Sequence, residues 1–364
     1  MKRHFLVLLL VEYLSIISAS RDEDTLKFVF GMFRHGFRTN ERTATYPRDP
    51  YKNITYWPYG YGQLTNLGKQ REFDLGQKLH DRYGKFLGMY TPEVIDAWST
   101  NYNRTKMSLE LVLASLFPPE GPLDWSTKIM WQPIPYNYFS PDNNVKNFIA
   151  LDCPKHAKLY EEFKKTPEGS ELINQYSEWY PYLKENTGLE VNSIVDLHLL
   201  YFTLKIQGEW GLTLPEWAKE VLHTVLERSV CDLYIAKTST SELNKLSQGF
   251  ALKLYLDTVD QKINENLIPS ERKIQLYSVH EFNIACFLRA LNVFTRHVPK
   301  YGACVLLELH LIDGVYGTKI YYEDHTDDSP KLLTVPGCSS FCPLDQFKAL
   351  LKNHTAENYD LCNS

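Results

Sequence analysis

Near the start of this 364-residue chain, Arg34-His35-Gly36-Phe37-Arg38 sets two guanidinium groups around one imidazole. Arginine grips an oxyanion through a planar, bidentate fork and stays charged at any working pH, so such a segment suits a developing or bound anion. A third arginine, Arg104, closes the segment Ser99-Thr100-Asn101-Tyr102-Asn103-Arg104, and His280-Glu281 adds a second imidazole beside a carboxyl. Phosphoryl transfer needs this inventory: fixed cations around three oxygens, an in-line nucleophile, and a proton donor for the leaving group. In that chemistry Arg34, Arg38 and Arg104 hold the phosphate and His35 attacks through a ring nitrogen. His280 donates a hydrogen bond to a phosphate oxygen, while Glu281 protonates the leaving alkoxide and then activates water.

Residues this far apart must be delivered by a scaffold. Leu26 to Phe33 is an almost unbroken apolar run of the kind that forms a strand buried on both faces, and it leads straight into Arg34 and His35. Val94 to Ser99 and Ile274 to Val279 read as further strands, each running into its part of the motif and then into a helical pattern. Ligands of open α/β sheets bind at the carboxyl ends of strands, where these residues fall. Thr65 reads as a helix N-cap, and Asp313-Gly314 between two alternating runs reads as a hairpin turn. Residues 154–268 are rich in Lys, Glu, Trp and Tyr at helical spacing. The expected architecture is α/β, a central, mostly parallel sheet flanked by helices, built from residues 21–153 and 269–364, with residues 154–268 inserted as a smaller helical cap.

Other chemistries fail on specific residues. His280-Glu281 begins a zinc motif, H-E-x-x-H, but Ile284 stands where its second histidine belongs, so no metal is expected. Neither a nucleophile elbow nor a phosphate-binding P-loop occurs, and no other cofactor is implied. A net charge of -5 without a lysine or arginine run disfavours nucleic acid and anionic membranes as partners. His198, His223 and His310 read as buried core histidines satisfied by neighbours.

Residues 1–20 read as a signal peptide, with Lys2 and Arg3 before an apolar run and a small-residue cleavage site at Ser18-Ala19-Ser20. No stable membrane anchor is expected, and the product is expected to be secreted. Sequons at Asn53 and Asn353 fit glycosylation in that compartment; a third, Asn103, adjoins Arg104 and is expected to stay bare. Of seven cysteines most should pair there, Cys338 and Cys342 locally, with Cys286 left as the free thiol on a buried helix face.

The R-H-G-x-R run at 34–38, the S-T-x-x-x-R-T run at 99–105 and the H-E pair at 280–281 together resemble the signatures of the histidine acid phosphatases. Tyr46 to Tyr51, Gly62 to Thr65, Leu214 to Trp217 and Pro336 to Leu344 extend the likeness over nearly the whole chain. The resemblance implies His35 as nucleophile, Arg34, Arg38, Arg104 and His280 as phosphate ligands, Glu281 as proton donor, and small phosphomonoesters as substrates. It also implies disulfides Cys153–Cys362 and Cys338–Cys342, suggests Cys231 as partner for Cys304, and leaves a homodimer open. Two departures stand out: Asn40 where the family commonly has proline, and Glu281 where many members have aspartate. They keep one alternative alive, a phosphate-binding protein with weak or lost turnover; the resemblance adds a second, an enzyme narrowed to inositol phosphates, which a cap with many lysines facing the pocket would favour.

Overall fold

The computed structural model of the chain describes residues 24–139, 153–327 and 329–362; the signal-peptide reading lies outside them. Its strands are β1 (Leu26–Arg34), β2 (Ile95–Ser99), β3 (Asn137–Tyr138), β4 (Ile274–Val279), β5 (Cys304–Ile312), β6 (Val315–Glu323), β7 (Lys331–Leu333) and β8 (Cys342–Pro343). They form one mixed sheet in the order β3-β2-β4-β1-β5-β6-β7, with β8 on β6. The β3-β2-β4-β1 half is parallel, as expected for the centre, and β5 to β8 add antiparallel pairs. The predicted Asp313-Gly314 turn joins β5 to β6 with positive φ at both residues.

Strand β1 is apolar from Phe28 to Phe33 because both its faces are covered there. Phe28, Phe30 and Met32 join one core cluster while Val29 and Phe33 join another, the alternation a pleated strand imposes. Helices α1 (Asn66–Leu87) and α2 (Asn103–Leu116) pack Leu75, Leu79, Leu109 and Val112 on the second face. As expected, the hydroxyl of Thr65 caps α1 by accepting from Gly68 N–H at 3.1 Å.

Between Pro154 and Ile263 the chain is helical, and α3 (Ile194–Glu209) contributes Leu197, Tyr201 and Leu204 to a separate cluster that also takes in Phe37, Phe282 and Tyr301. The last helix of this stretch, α4 (Phe250–Ile263), behaves otherwise: Phe250, Tyr255 and Val259 pack with the sheet residues and with Phe287 of α5 (Glu281–Ala290). By packing, then, α4 belongs with the sheet, although its sequence reads continuously with the helices before it. No helix among the described residues is long and apolar enough to cross a membrane.

Cys153 is bonded to Cys362 and Cys338 to Cys342. Cys286 is free, as expected, but so are Cys231 and Cys304. Cys304 lies in β5 within the cluster under α1 and α2, and Cys231 lies in the helical cluster, so the two sit in different cores.

One close approach joins this scaffold to the chemistry. A Cβ on Gly68, in the first turn of α1, would lie 2.1 Å from Phe37 O, and one on Gly36 would lie 2.4 Å from Gly68 O. The loop carrying His35 therefore rests directly on the helix start. Gly68→Ala is expected to cost about 1–3 kcal/mol, the usual range for overpacking, and to lower kcat as His35 moves. Thermal unfolding and turnover measured on one preparation check both effects.

Candidate active site

Strand β4 lies between β2 and β1 and is parallel to both, with Ser99 level with Ser278 and Val279 level with Arg34. All three strands end at one edge of the sheet. His35 continues the ladder by donating its N–H to Val279 O at 3.0 Å, and Thr100 does the same to Ser278 O at 3.1 Å. Register alone thus brings the three motifs together.

The His35 imidazole is held in one orientation. Its Nδ1 lies 2.8 Å from Gly36 O, a carbonyl that can only accept, so Nδ1 carries the proton and Nε2 presents its lone pair. Nε2 faces Arg104, whose Nε donates to it at 3.2 Å. Burial first, then the charges of Arg104, His280, Arg34 and Arg38, hold the imidazole well below the usual histidine range. The same burial and charges favour the neutral ring, the form a nucleophile must take.

The arginines are fixed by neighbours on their far sides. Arg34 donates from Nη1 to Pro299 O at 2.6 Å, and its guanidinium carbon lies 3.8 Å from the centre of the Tyr301 ring. Glu41 bridges the other two, 3.3 Å from Arg38 Nη2 and 3.2 Å from Arg104 Nη2. Burial and then Arg38 lower the pKa of Arg104 to about 10, which leaves it protonated in acid and at neutrality. The Nε donors of Arg34 and Arg38 are buried without a hydrogen-bond partner among the described residues. Buried donors of this kind are rare, and here an oxyanion would satisfy them.

His280 caps the start of α5, where its N–H donates to Asn283 Oδ1 at 3.2 Å. Its Nε2 lies 3.1 Å from Thr100 Oγ1, a contact whose direction follows from the hydroxyls beyond it. Thr105 gives its proton to the carbonyls of Thr100 and Tyr102, and Thr100 gives its own to Thr105 Oγ1. Thr100 can therefore only accept, so His280 Nε2 carries a hydrogen. Burial, then Arg104, outweigh Glu281 and take the His280 pKa to about 3, so the ring is a neutral donor.

Glu281 opens α5. Its Oε2 lies 3.9 Å from Arg34 Nε, and its Oε1 lies 3.4 Å from His198 Nε2 on α3. Burial pushes its carboxyl up, but His198, Arg34 and His280 together hold it below the usual carboxylate range. The empty site therefore contains an ionised Glu281.

The structure thus gathers every expected site residue: Arg34, His35, Arg38, Arg104, His280 and Glu281. It also adds contributors that sequence reading passes over. His198 is not an isolated core histidine but a partner of Glu281, and its setting in the apolar run Leu197 to Phe202 gives no hint of this. Glu41 was findable, since an acid three residues beyond Arg38 is placed to pair with it. Asn40 is buried, and its side chain accepts from Glu41 N–H at 3.0 Å, fixing the turn that carries Glu41. Of the other histidines, His310 is buried between Thr25 and Glu308 as expected. His223 instead lies exposed on a helix surface beside Glu227, contrary to its core reading.

The family model described as "Histidine phosphatase superfamily (branch 2)" matches residues 25–325. The chain belongs to this superfamily. Among its histidine phosphatase relatives, the venom acid phosphatase Acph-1 of Apis mellifera is 37% identical over 344 residues, covering 92% of this chain and 87% of that one. Human prostatic acid phosphatase is 34% identical over 333 residues, covering 90% and 84%. Among solved structures, the Hafnia alvei phytase in complex with myo-inositol hexakis sulphate superposes with a TM-score of 0.64 at 16% identity, over 93% of this chain and 98% of that one. At that identity the likeness is one of fold.

Proposed function

We propose that this protein is a secreted acid phosphatase that hydrolyses phosphate monoesters through a phosphohistidine on His35, without a metal ion. The observation that carries the reading is the His35 ring: a proton fixed on Nδ1 by Gly36 O, and a free Nε2 lone pair directed at Arg104 among buried arginine donors. In the first step the Nε2–P bond forms as the ester P–O bond breaks, and Glu281 gives the departing oxygen its proton. In the second, Glu281 takes a proton from water as the water oxygen attacks phosphorus and Nε2 leaves. Arg34, Arg38 and Arg104 stabilise the equatorial oxygens in both, joined by His280 as its Nε2–H exchanges Thr100 for a phosphate oxygen.

Export through the signal at residues 1–20, glycans on the exposed Asn53 and Asn353, and the two disulfides make one consistent picture. The purified mature protein is expected to turn over an aryl phosphate between pH 4 and 8 after exhaustive dialysis against chelator. Activity lost to chelator and restored by a divalent metal would contradict the mechanism, and phosphate binding without any turnover would point to the binding-protein alternative.

The pH profile follows from Glu281. Its carboxyl is ionised in the empty site, so the proton for the leaving group must arrive with the substrate monoanion or be taken up when the dianion binds. The second phosphate ionisation lies near pH 6, so kcat/KM is expected to be flat in acid and to fall as pH rises above about 6. His198 favours the ionised carboxylate. Its removal in His198→Ala should let Glu281 hold its proton to higher pH in the complex, moving the alkaline fall of kcat upward. A purely structural histidine would lower kcat and leave its pH profile in place.

A further inference from the structure

A cavity of about 380 Å3 lies next to the phosphate site without being part of it. Phe37 and Tyr301 form the shared wall: both line the cavity, their rings are 5.4 Å apart, and the Tyr301 ring is 5.9 Å from that of His35. None of Arg34, His35, Arg38, Arg104, His280 or Glu281 lines it. Its volume is within the range of small-molecule sites, which pair apolar walls with a few placed polar groups.

The walls carry unused donors. Tyr201 and Tyr301 both line the cavity, are 0% and 7% exposed, and have hydroxyls without a hydrogen-bond partner. Buried hydroxyls are nearly always paired, so two at one cavity are a specific feature. Arg71 and Lys300 also line it, and among the described residues neither side chain makes a hydrogen bond or an ion pair. The adjacent Glu72 is buried, and neither of its carboxyl oxygens has a hydrogen-bond partner, Arg71 included. Of the other charged side chains in the lining, Lys205 pairs with Glu209 at 3.2 Å, and Glu227 lies 2.7 Å from the exposed His223 ring. The lining therefore offers Arg71 and Lys300 outside any ion pair among the described residues, two phenolic donors and aromatic surface.

We propose that this cavity binds a small organic anion with a flat apolar body, of the aromatic carboxylate class. The carboxylate would take charge-assisted hydrogen bonds from Arg71, Lys300 and the tyrosine hydroxyls, and the ring would lie against Phe37 and Tyr301. This is a second binding function, independent of phosphate hydrolysis.

The test is calorimetric titration of 2-naphthoate into protein saturated with vanadate, which fills the phosphate site. Binding is expected, at least tenfold weaker in the Arg71→Gln/Lys300→Gln double variant and at least tenfold weaker for uncharged 2-naphthylmethanol. No binding, binding abolished by vanadate, equal affinity in the double variant, or equal affinity for the alcohol would each overturn the proposal. If the double variant does not fold, Leu67→Asp decides. Leu67 is a 61% exposed residue lining the cavity, and an acid there must repel the anion; unchanged affinity would overturn the proposal equally.

Discussion

His35→Ala is expected to abolish turnover of aryl and alkyl phosphates alike while vanadate still binds. The imidazole sets its Nε2 lone pair toward Arg104 among the buried arginines, so its removal takes away the bond-forming atom and leaves the anion cradle standing. Arg34 remains anchored by Pro299 and stacked on Tyr301, and Arg38 and Arg104 remain tied to Glu41. Loss of a covalent nucleophile commonly costs about 10⁴-fold or more, whereas vanadate affinity should fall far less. Steady-state rates and vanadate titration on the same protein separate the two. Residual activity near the wild-type level would mean that another atom attacks phosphorus.

Glu281→Gln should divide substrates by their leaving groups. Glutamine keeps the size and the hydrogen-bonding reach toward His198 and Arg34 but cannot donate a proton to an alkoxide. Aryl phosphates, whose leaving groups depart as stable anions, should still phosphorylate His35. Alkyl phosphates should lose most of the contribution of general acid catalysis, about 10²- to 10⁴-fold. The second step also needs Glu281, as the base for water, so rapid acid quench after mixing with an aryl phosphate should show acid-labile phosphate on His35. Equal losses on both substrate types, with no trapped intermediate, would leave Glu281 a structural role only.

Much of this site is legible before any coordinates are seen, because its parts sit at punctuation points that physics makes conspicuous. An almost unbroken apolar strand ending in Arg34-His35 announces a carboxyl edge, and β2 and β4 repeat the arrangement. What the sequence does not reveal is lateral contact between distant segments. His198 looks like one polar interruption of a buried helix, and nothing local marks it as facing Glu281. The departure from the commoner aspartate gains a physical setting only in three dimensions, where the longer side chain spans from Arg34 on one side to His198 on the other. The cap boundary misleads for a similar reason. Helix α4 has the same amphipathic grammar as the helices before it, and only packing reveals that its apolar stripe faces the sheet. The proposed Cys231–Cys304 pairing fails because cysteine counting carries no information about which core a residue enters.

The position of β4 also bears on how the chain matures. It is the common neighbour of β1 and β2, yet some 170 residues of polypeptide separate it from the end of β2 (Ser99 to Ile274). A ribosome that has released only the N-terminal third has delivered His35 and all three arginines, but β1 and β2 have no strand to join them. Pairings between such distant segments form slowly and leave partly built sheets exposed to aggregation. Nascent or truncated chains ending before Ile274 should therefore neither bind phosphate nor hold a stable sheet, whatever fraction of the catalytic residues they contain. The nucleophile is translated early, but it acquires its function only when the last third of the protein arrives.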